Sequence, residues 1–433
     1  MTEQLKLKLN DSKATRWGAL VIVAFTMMAA YYVNDVVAPL KTMLETDLAW
    51  SSTDFGFFTG GYSFLNVFFL MLIWGGLILD RFGIRFTGKL ATILMVGGTA
   101  LEYYAMTGLA GADATLFGIN EIFGYKTGVF VAFAGYSIFG VGAEVAGITV
   151  SKIIAKWFKG KELATAMGVQ VALARIGSQA GYAVAIPLAR AFGISTPVLL
   201  GLVLLLGGMI AFFVFAVMDK KLDKQMEAAA IAAGTEDEEE KFSFKDVKNI
   251  LVNPGFWLIA LLCVLFYSCV FPFQKFASEL MIIKYGINEN VAGTFAGLPA
   301  LGALILTPVF GGFIDKRGKS ASIMLLGSAM LICVHFIYAI PDINYWLVAI
   351  VLMIILGIAF SLVPSAMWPA VAKIFPVSQL GTAYALIFFI QNIGLWGIPT
   401  LIGWVLDAYC ISGKKPDGTN MYDYTVPMCI FTG

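Results

Sequence analysis

"FKGKELATAMGVQVALARIG", residues 158–177, and "FPVSQLGTAYALIFFIQNIG", residues 375–394, are one segment written twice, 217 positions apart. The alignment sets Leu163 on Leu380, Thr165 on Thr382, Arg175 on Asn392 and Gly177 on Gly394. A second repeat lies in "GLILDRFGIR" from Gly76 and "GGFIDKRGK" from Gly311. Each reads G-x-x-x-D followed by basic residues, with Asp80 and Asp315 separated by 235 positions. The offsets differ by 18, which places an insertion in "TGLAGADATLFGINEIFGYKT", residues 107–127. Self-similarity at this spacing describes two like halves in the same orientation.

What each half is made of follows from composition. Of 433 residues, 59% are hydrophobic and 13% charged, with a mean hydropathy of +0.83. That leaves too little polar surface to cover a water-soluble globule, so the chain belongs in a lipid bilayer. Eleven apolar stretches are long enough to cross it as helices: 17–40, 54–79, 87–106, 127–151, 163–189, 196–218, 255–284, 291–314, 320–340, 345–375 and 380–406. A twelfth begins at Thr425, but "TVPMCIFTG" reaches only about 13 Å as helix, so the last helix is expected to be truncated. The first apolar run is too long for a signal-peptide core and lacks a small-residue cleavage site, so it reads as a retained helix.

The expected fold is an all-α membrane protein of two pseudo-symmetric six-helix bundles. Residues 1–218 form the first bundle, 219–253 a solvated linker containing "TEDEEEKFSFKD", and 254–433 the second bundle. Lys6, Lys8, Lys13, Arg16, Arg81, Arg85, Lys89, Lys152, Lys156, Lys159, Lys161, Lys316, Arg317 and Lys319 share one side, which makes the amino terminus cytoplasmic. Lys41, Lys126, Lys414 and Lys415 form a weaker set on the other.

The Asp80 and Asp315 loops resemble the signature loop of the major facilitator superfamily. In such a loop a glycine lets two helices approach, and the aspartate can cap a helix or pair with basic residues, here Arg81, Arg85, Lys316 and Arg317, as a latch that breaks when the carrier changes face. Ile84 stands between Gly83 and Arg85 in the first copy. A narrower resemblance rests on "YSFLN" at Tyr62, "WFKGKELATAMGVQVALARIGS" at Trp157, "VFPF" at Val270 and "MWPAVAKIFPVSQLGTAYALIFFIQNIGL" at Met367. These look like the lysosomal dipeptide carriers of that superfamily and their bacterial relatives. The resemblance, which runs from the first helix through the eleventh, implies a carrier for dipeptides. The external insertion departs from that pattern, and "MTEQLKLKLNDSK" carries no acidic dileucine sorting signal, so a bacterial cytoplasmic membrane is expected.

Ionisable residues inside a bilayer are costly, and each carries a functional expectation. In "GVGAEVAGI", residues 140–148, Glu144 lies eight residues before Lys152, and Arg175 lies thirteen after Glu162. Both therefore sit roughly 12–20 Å from the basic face, in the midplane layer where carriers of this kind bind substrate. Gln179 and Tyr182 follow Arg175 at i+4 and i+7, Tyr62 and Asn66 are i and i+4, and the second half supplies Tyr267, Gln391 and Asn392. Charge in one half and neutral hydrogen-bonding groups in the other suit an elongated zwitterion, with Glu144 facing an ammonium and Arg175 gripping a carboxylate. The structural alternative is that Glu144 and Arg175 neutralise each other, the pair closing when no substrate is bound. Asp35 in "YYVNDVVAPL" is a candidate coupling residue or a cap. Lys275 and Glu279, at i and i+4, read as an ion pair or gate. Gly297, Pro299, Pro364, Pro369 and Pro272 are expected to break or bend their helices.

Other chemistries find no support in the sequence. The one histidine, His335, stands on an apolar stretch, the five cysteines are scattered, and no P-loop is present, so no metal, cofactor, disulfide framework or ATP-driven pumping is expected. Nucleic acid is not an expected partner; the bilayer and a small-molecule substrate are, and an accessory subunit leaves no mark. The competing functions are an organic-anion or phosphorylated-sugar antiporter using Arg175, a non-transporting receptor or scaffold, and an intramembrane enzyme, which lacks a nucleophile constellation.

Overall fold

The computed structural model describes residues 8–111, 114–233 and 244–433, with side chains except at positions 164, 228–233, 244–246, 315, 372, 377 and 378. Helix α1 (Lys13–Val36) starts at Ser12, whose side chain accepts the Thr15 N–H, and a 3₁₀ turn through Pro39 leads into α2 (Lys41–Leu48). Helix α3 (Ser52–Phe68) opens on a reciprocal cap between Ser51 and Asp54. It joins α4 (Met71–Thr107) through Leu70 at φ 54°, with a 58° bend. The second expected span, 54–79, is therefore broken near its middle. Gly83, at φ 73° and ψ 174°, divides α4 into two arms, a conformation that glycine adopts without a side-chain clash. Gly75 before it touches Val145, while Gly142 touches Ala91 and Met95 beyond it. Both arms thus lie along one stretch of α5, so the chain reverses at Gly83.

The first half continues with α5 (Thr127–Trp157), α6 (Leu163–Phe192) and α7 (Thr196–Ala233). Helix α7 runs fifteen residues beyond the expected 218, so the start of the linker is helical; 234–243 fall outside the described residues. The second half comprises α8 (Phe244–Val252), α9 (Pro254–Ile283), α10 (Glu289–Ala296), α11 (Leu298–Arg317), α12 (Ser320–Ala339), α13 (Trp346–Ile374), α14 (Val377–Tyr409) and α15 (Thr425–Thr432). Two small antiparallel hairpins decorate the loops: β1 (Glu121–Ile122) with β2 (Tyr125–Lys126) inside the insertion, and β3 (Ile411–Lys414) with β4 (Asn420–Tyr422). Among the described residues eight spans are long and apolar enough to cross a membrane, and the bent α3–α4 pair makes nine. Helix α6 is long enough, but Arg175 and its polar neighbours lower its hydropathy.

Gly297 separates α10 from α11, as expected of it and Pro299. Pro364 and Pro369, by contrast, lie inside a continuous α13, and Pro272 inside a continuous α9. Membrane helices tolerate proline where neighbours satisfy the freed carbonyls. Ser361 and Ser365 of α13 bond back to the Gly357 and Ser361 carbonyls one turn earlier, at 2.7 and 2.6 Å.

The internal repeat is visible as packing. A Cβ on Gly177 of α6 would lie 2.1 Å from the Met28 carbonyl oxygen of α1, and one on Gly394 of α14 would lie 1.9 Å from Ser268 Oγ of α9. Each repeat glycine lets its helix touch the leading long helix of its own half. The halves then meet along the face opposite the basic one, where α3 packs on α14 and α6 on α10 and α11.

Candidate functional site

Two layers of polar side chains occupy the interior. One seals the face opposite the basic one, and its contacts cross between halves. Lys41, 1% exposed, sits 2.5 Å from Glu45 Oε1 and 2.5 Å from Glu279 Oε2. Tyr424 also donates to Glu279, and Lys415 lies 3.4 Å from Glu45 and 3.6 Å from Glu279. Thr53 gives its N–H and hydroxyl to Asp407 at 2.6 and 2.7 Å, and Arg190 of α6 binds Glu289 and Asn290 of α10. Lys275 of α9 donates to the Asn34 carbonyl (2.5 Å) and to Asp35 (3.2 Å) of α1, and to the Tyr136 hydroxyl (3.3 Å) of α5.

Three expectations change here. Lys275 and Glu279 do not pair with each other; each binds the first half instead. Asp35 is neither a cap nor loop-facing: it is 8% exposed and accepts from Ser178 Oγ (2.5 Å) and Asn34 Nδ2 (2.8 Å) as well as Lys275. Lys41, which composition places among the loop cations of that side, is a buried tie between two glutamates. All these charges leave water only because they pair across the seam.

The basic face is tied differently. Among the described residues its ion pairs stay within the first half: Arg16 with Glu162 at 2.9 Å, Lys161 with Asp11 at 2.9 Å, Lys156 with Asp219 at 2.7 Å, and Arg85 with Asp223 at 2.6 Å. Asp80 pairs with Lys152 of α5 at 3.1 Å rather than with Arg81 or Arg85. Arg81 stacks on Phe82, Arg317 on Phe313, and Lys316 is exposed; the Asp315 side chain lies outside those described. Outside the membrane span, its own backbone N–H and then Arg16 hold the Glu162 carboxyl below the ordinary carboxylate range.

Between the layers lie Glu144 and Arg175, both half-buried. Among the described residues neither makes an ion pair, with the other or with anything else, so the mutual neutralisation expected of an empty site does not occur in this conformation. Glu144 accepts one hydrogen bond, from the Tyr62 hydroxyl of α3 at 3.0 Å. Arg175 stands between two aromatic faces, Tyr31 of α1 at 5.6 Å and Phe360 of α13 at 5.0 Å. Rings hold a guanidinium in place while leaving its N–H donors free. Tyr31, absent from the sequence-based candidates, lies within electrostatic range of Arg175, Glu144 and Asp35 together.

The neutral candidates divide. Asn66 is 2% exposed with neither amide atom partnered, and the Asn392 carbonyl is likewise unpaired while its Nδ2 bonds to Phe388 at 2.9 Å. Gln391 accepts from Cys263 at 3.3 Å. Tyr267 accepts the Trp368 indole N–H at 3.2 Å, and Trp368 stacks on Phe388 at 4.8 Å, an aromatic wall that single residues in the sequence do not advertise. Gln179 and Tyr182 also touch α10: Gln179 Nε2 donates to the Thr294 carbonyl at 3.3 Å, and the Tyr182 backbone meets Gly293. On the unbroken α6 they continue the face of Arg175 toward α10, and Gln179 Oε1 and the Tyr182 hydroxyl are buried without a partner. Among the described residues no group of three His, Cys, Asp or Glu is placed to hold a metal ion, and His335 Nε2 lies 3.0 Å from the Cys269 carbonyl.

Residues 20–397 match the family model of the Major Facilitator Superfamily. The lysosomal dipeptide transporter MFSD1 of Homo sapiens is 29% identical over 409 residues, covering 91% of this chain and 81% of that protein. Its Gallus gallus counterpart is 33% identical over 287 residues, covering 63% and 62%. Among solved structures, a variant of the nucleoside transporter NupG superposes with a TM-score of 0.70 at 13% identity over 96% of each chain. A bacterial homolog to the human lysosomal transporter Spinster, inward-facing and unoccupied, gives 0.64 at 16% identity over 92% of this chain and 84% of that one. At these identities the structural likenesses establish the fold and nothing further.

Proposed function

The chain belongs to the major facilitator superfamily, and from that membership we propose that this multi-pass membrane transporter carries dipeptides by alternating access, with Glu144 receiving the substrate ammonium and Arg175 its carboxylate. The observation that supports this is the pair of opposite, half-buried charges left without ionic partners between a sealed face and a basic one. Among the described residues, the charges that tie the two halves together, Asp35, Lys41, Glu45, Lys275, Glu279 and Lys415, are all matched. An unmatched carboxylate and an unmatched guanidinium in a low-dielectric layer together ask for a zwitterion, because a ligand lacking either terminus leaves one charge desolvated and unpaired. The similarity to lysosomal dipeptide transporters points the same way.

Asn66 and Asn392, whose amide atoms are buried and free, would then satisfy the peptide bond, and the Tyr267–Trp368 wall would accept side chains with little discrimination. With the amino terminus cytoplasmic, the conformation reads as inward-open: among the described residues the ion pairs that cross the halves are on the external face. A bacterial cytoplasmic membrane is the proposed location. The anion antiporter is the weaker reading, since such a site calls for a second inward cation and Lys275 is already committed to Asp35.

The test is thermal stabilisation of the purified protein by a dipeptide panel, with free amino acids and terminally blocked dipeptides as controls, because a ligand that binds only the folded state raises its melting temperature. Free dipeptides alone should stabilise. Stabilisation by organic or phosphorylated anions and not by dipeptides would replace this proposal with the antiporter.

A further inference from the structure

Glu102 of α4 is a buried acid that neither the midplane site nor the ties of the two faces use. It is fully buried, and neither carboxylate oxygen has a hydrogen-bond partner; Thr99 Oγ1, one turn earlier, is buried and unpartnered as well. The reason is the packing of α4 on α5. A Cβ on Gly98 would lie 2.4 Å from the Gly135 carbonyl oxygen, and one on Gly135 would lie 2.9 Å from the Glu102 amide nitrogen, so the two backbones touch and leave no room for a counter-ion. The ionisable groups that reach Glu102 electrostatically are Lys275 of α9 and Tyr136 of α5, and Tyr136 in turn feels Asp35 of α1. The Lys275 ammonium is spent on Asn34, Asp35 and the Tyr136 hydroxyl. An ionised carboxylate sealed here would have no donor at all, whereas the protonated acid is neutral and bears a far smaller desolvation cost.

Lys275 belongs to the second half and its partners to the first, so opening the face opposite the basic one must pull it away and admit water beside Tyr136. We propose that Glu102 is a proton-binding site that locks this face: it must hold a proton for the face to close, and it exchanges that proton with water only when the face is open. Since the acid is sealed in the conformation that opens to the basic face, it delivers no proton there. The proton is a gate condition rather than a transported ion. This rests on the alternating-access part of the proposed function and not on the dipeptide.

The sign of the effect separates Glu102 from its neighbours. Protonating Glu45 or Glu279 breaks ties to Lys41 and Lys415, so those acids would open the face as pH falls. Glu102 opens it as pH rises, with the open-to-closed ratio climbing up to about tenfold per pH unit above its midpoint.

The experiment uses the whole protein without substrate, so that failure of the dipeptide proposal leaves it intact. With the five native cysteines replaced, spin labels at Thr46→Cys of α2 and Ser412→Cys of β3 report the distance across the seam by pulsed electron spin resonance. The distribution should shift to longer distances with rising pH, stay short at every pH in Glu102→Gln, and shift again in Glu102→Asp, which restores a titrating group. Coincidence of Glu102→Gln with the parent at low pH checks that it folds. An unchanged distance from pH 5 to 9, a shift in Glu102→Gln equal to the parent's, or opening on acidification instead, would each overturn the proposal.

Discussion

Helices α6 and α14 are the same piece of sequence folded twice, and they differ where it matters. Each carries a glycine against the leading long helix of its half, Gly177 on Met28 and Gly394 on Ser268. Two positions earlier one holds Arg175 between aromatic rings and the other holds Asn392, bonded back to its own helix. Duplication has preserved the glycine at the helix contact and has left the charge on one side only. The halves are therefore alike as scaffolds and unequal in the charge they present to the interior.

The largest expected effect tests that inequality. Arg175→Ala should remove recognition of the substrate carboxylate at a cost of about 2–5 kcal/mol in binding, while Asn392→Ala loses a neutral hydrogen bond of about 1 kcal/mol. Calorimetric affinities for one dipeptide would show it; equal losses at both positions would mean that the halves share the ligand evenly.

The scaffold equivalence breaks more subtly. Gly177→Ala drives a methyl against the Met28 backbone carbonyl, which cannot yield, and should destabilise by about 1–3 kcal/mol. Gly394→Ala meets the Ser268 hydroxyl, a side chain that can rotate or be removed, so Gly394→Ala with Ser268→Ala should recover most of the melting temperature. No truncation at Met28 offers the same rescue.

A third comparison concerns the aromatic residues. Tyr62→Phe strips Glu144 of its one hydrogen bond and should weaken dipeptide binding by about 1–2 kcal/mol, whereas Trp368→Phe keeps the wall against Phe388 and forfeits only the N–H to Tyr267, about 0.5–1 kcal/mol.

The smallest effect is at the basic face. The Glu162 carboxyl is held below its ordinary value of 4.5 by its backbone N–H and Arg16, so its contribution is present above that pH and is lost as pH falls through the lower folded-state value. Glu162→Gln should slightly flatten the acid limb of a melting-temperature profile; the pair is exposed enough that salt should weaken it too.

Much of the fold was legible because the bilayer imposes length and apolarity on each span, and because the repeat survives as sequence. Breaks were less so: Leu70 bends the second span with no glycine or proline at the bend, while Pro364 and Pro369 leave α13 continuous. Of the candidate site, Glu144 and Arg175 stood out as charges deep in apolar runs. Glu102 escaped because "ALEYYAM" places it near a span's end, where an acid normally reaches water, and Lys41 escaped because a lysine just past a helix reads as a loop cation. Tyr31 and Trp368 carried no signal, since aromatic residues line membrane helices everywhere.

The sequence by itself determined that this chain lives in a membrane, that it is two like halves, and which helices bear charge at which depth, since these follow from hydropathy, spacing and self-similarity along one dimension. Tertiary structure alone decided which charges meet. Lys41 reaches Glu279, and Lys275 reaches Asp35, across about 240 residues, and those ties exist only while the two halves lean together on one face. Helical periodicity sets the side on which a residue points; the partner waiting there depends on how rigid halves dock, which is also what leaves Glu144 and Arg175 without ionic partners.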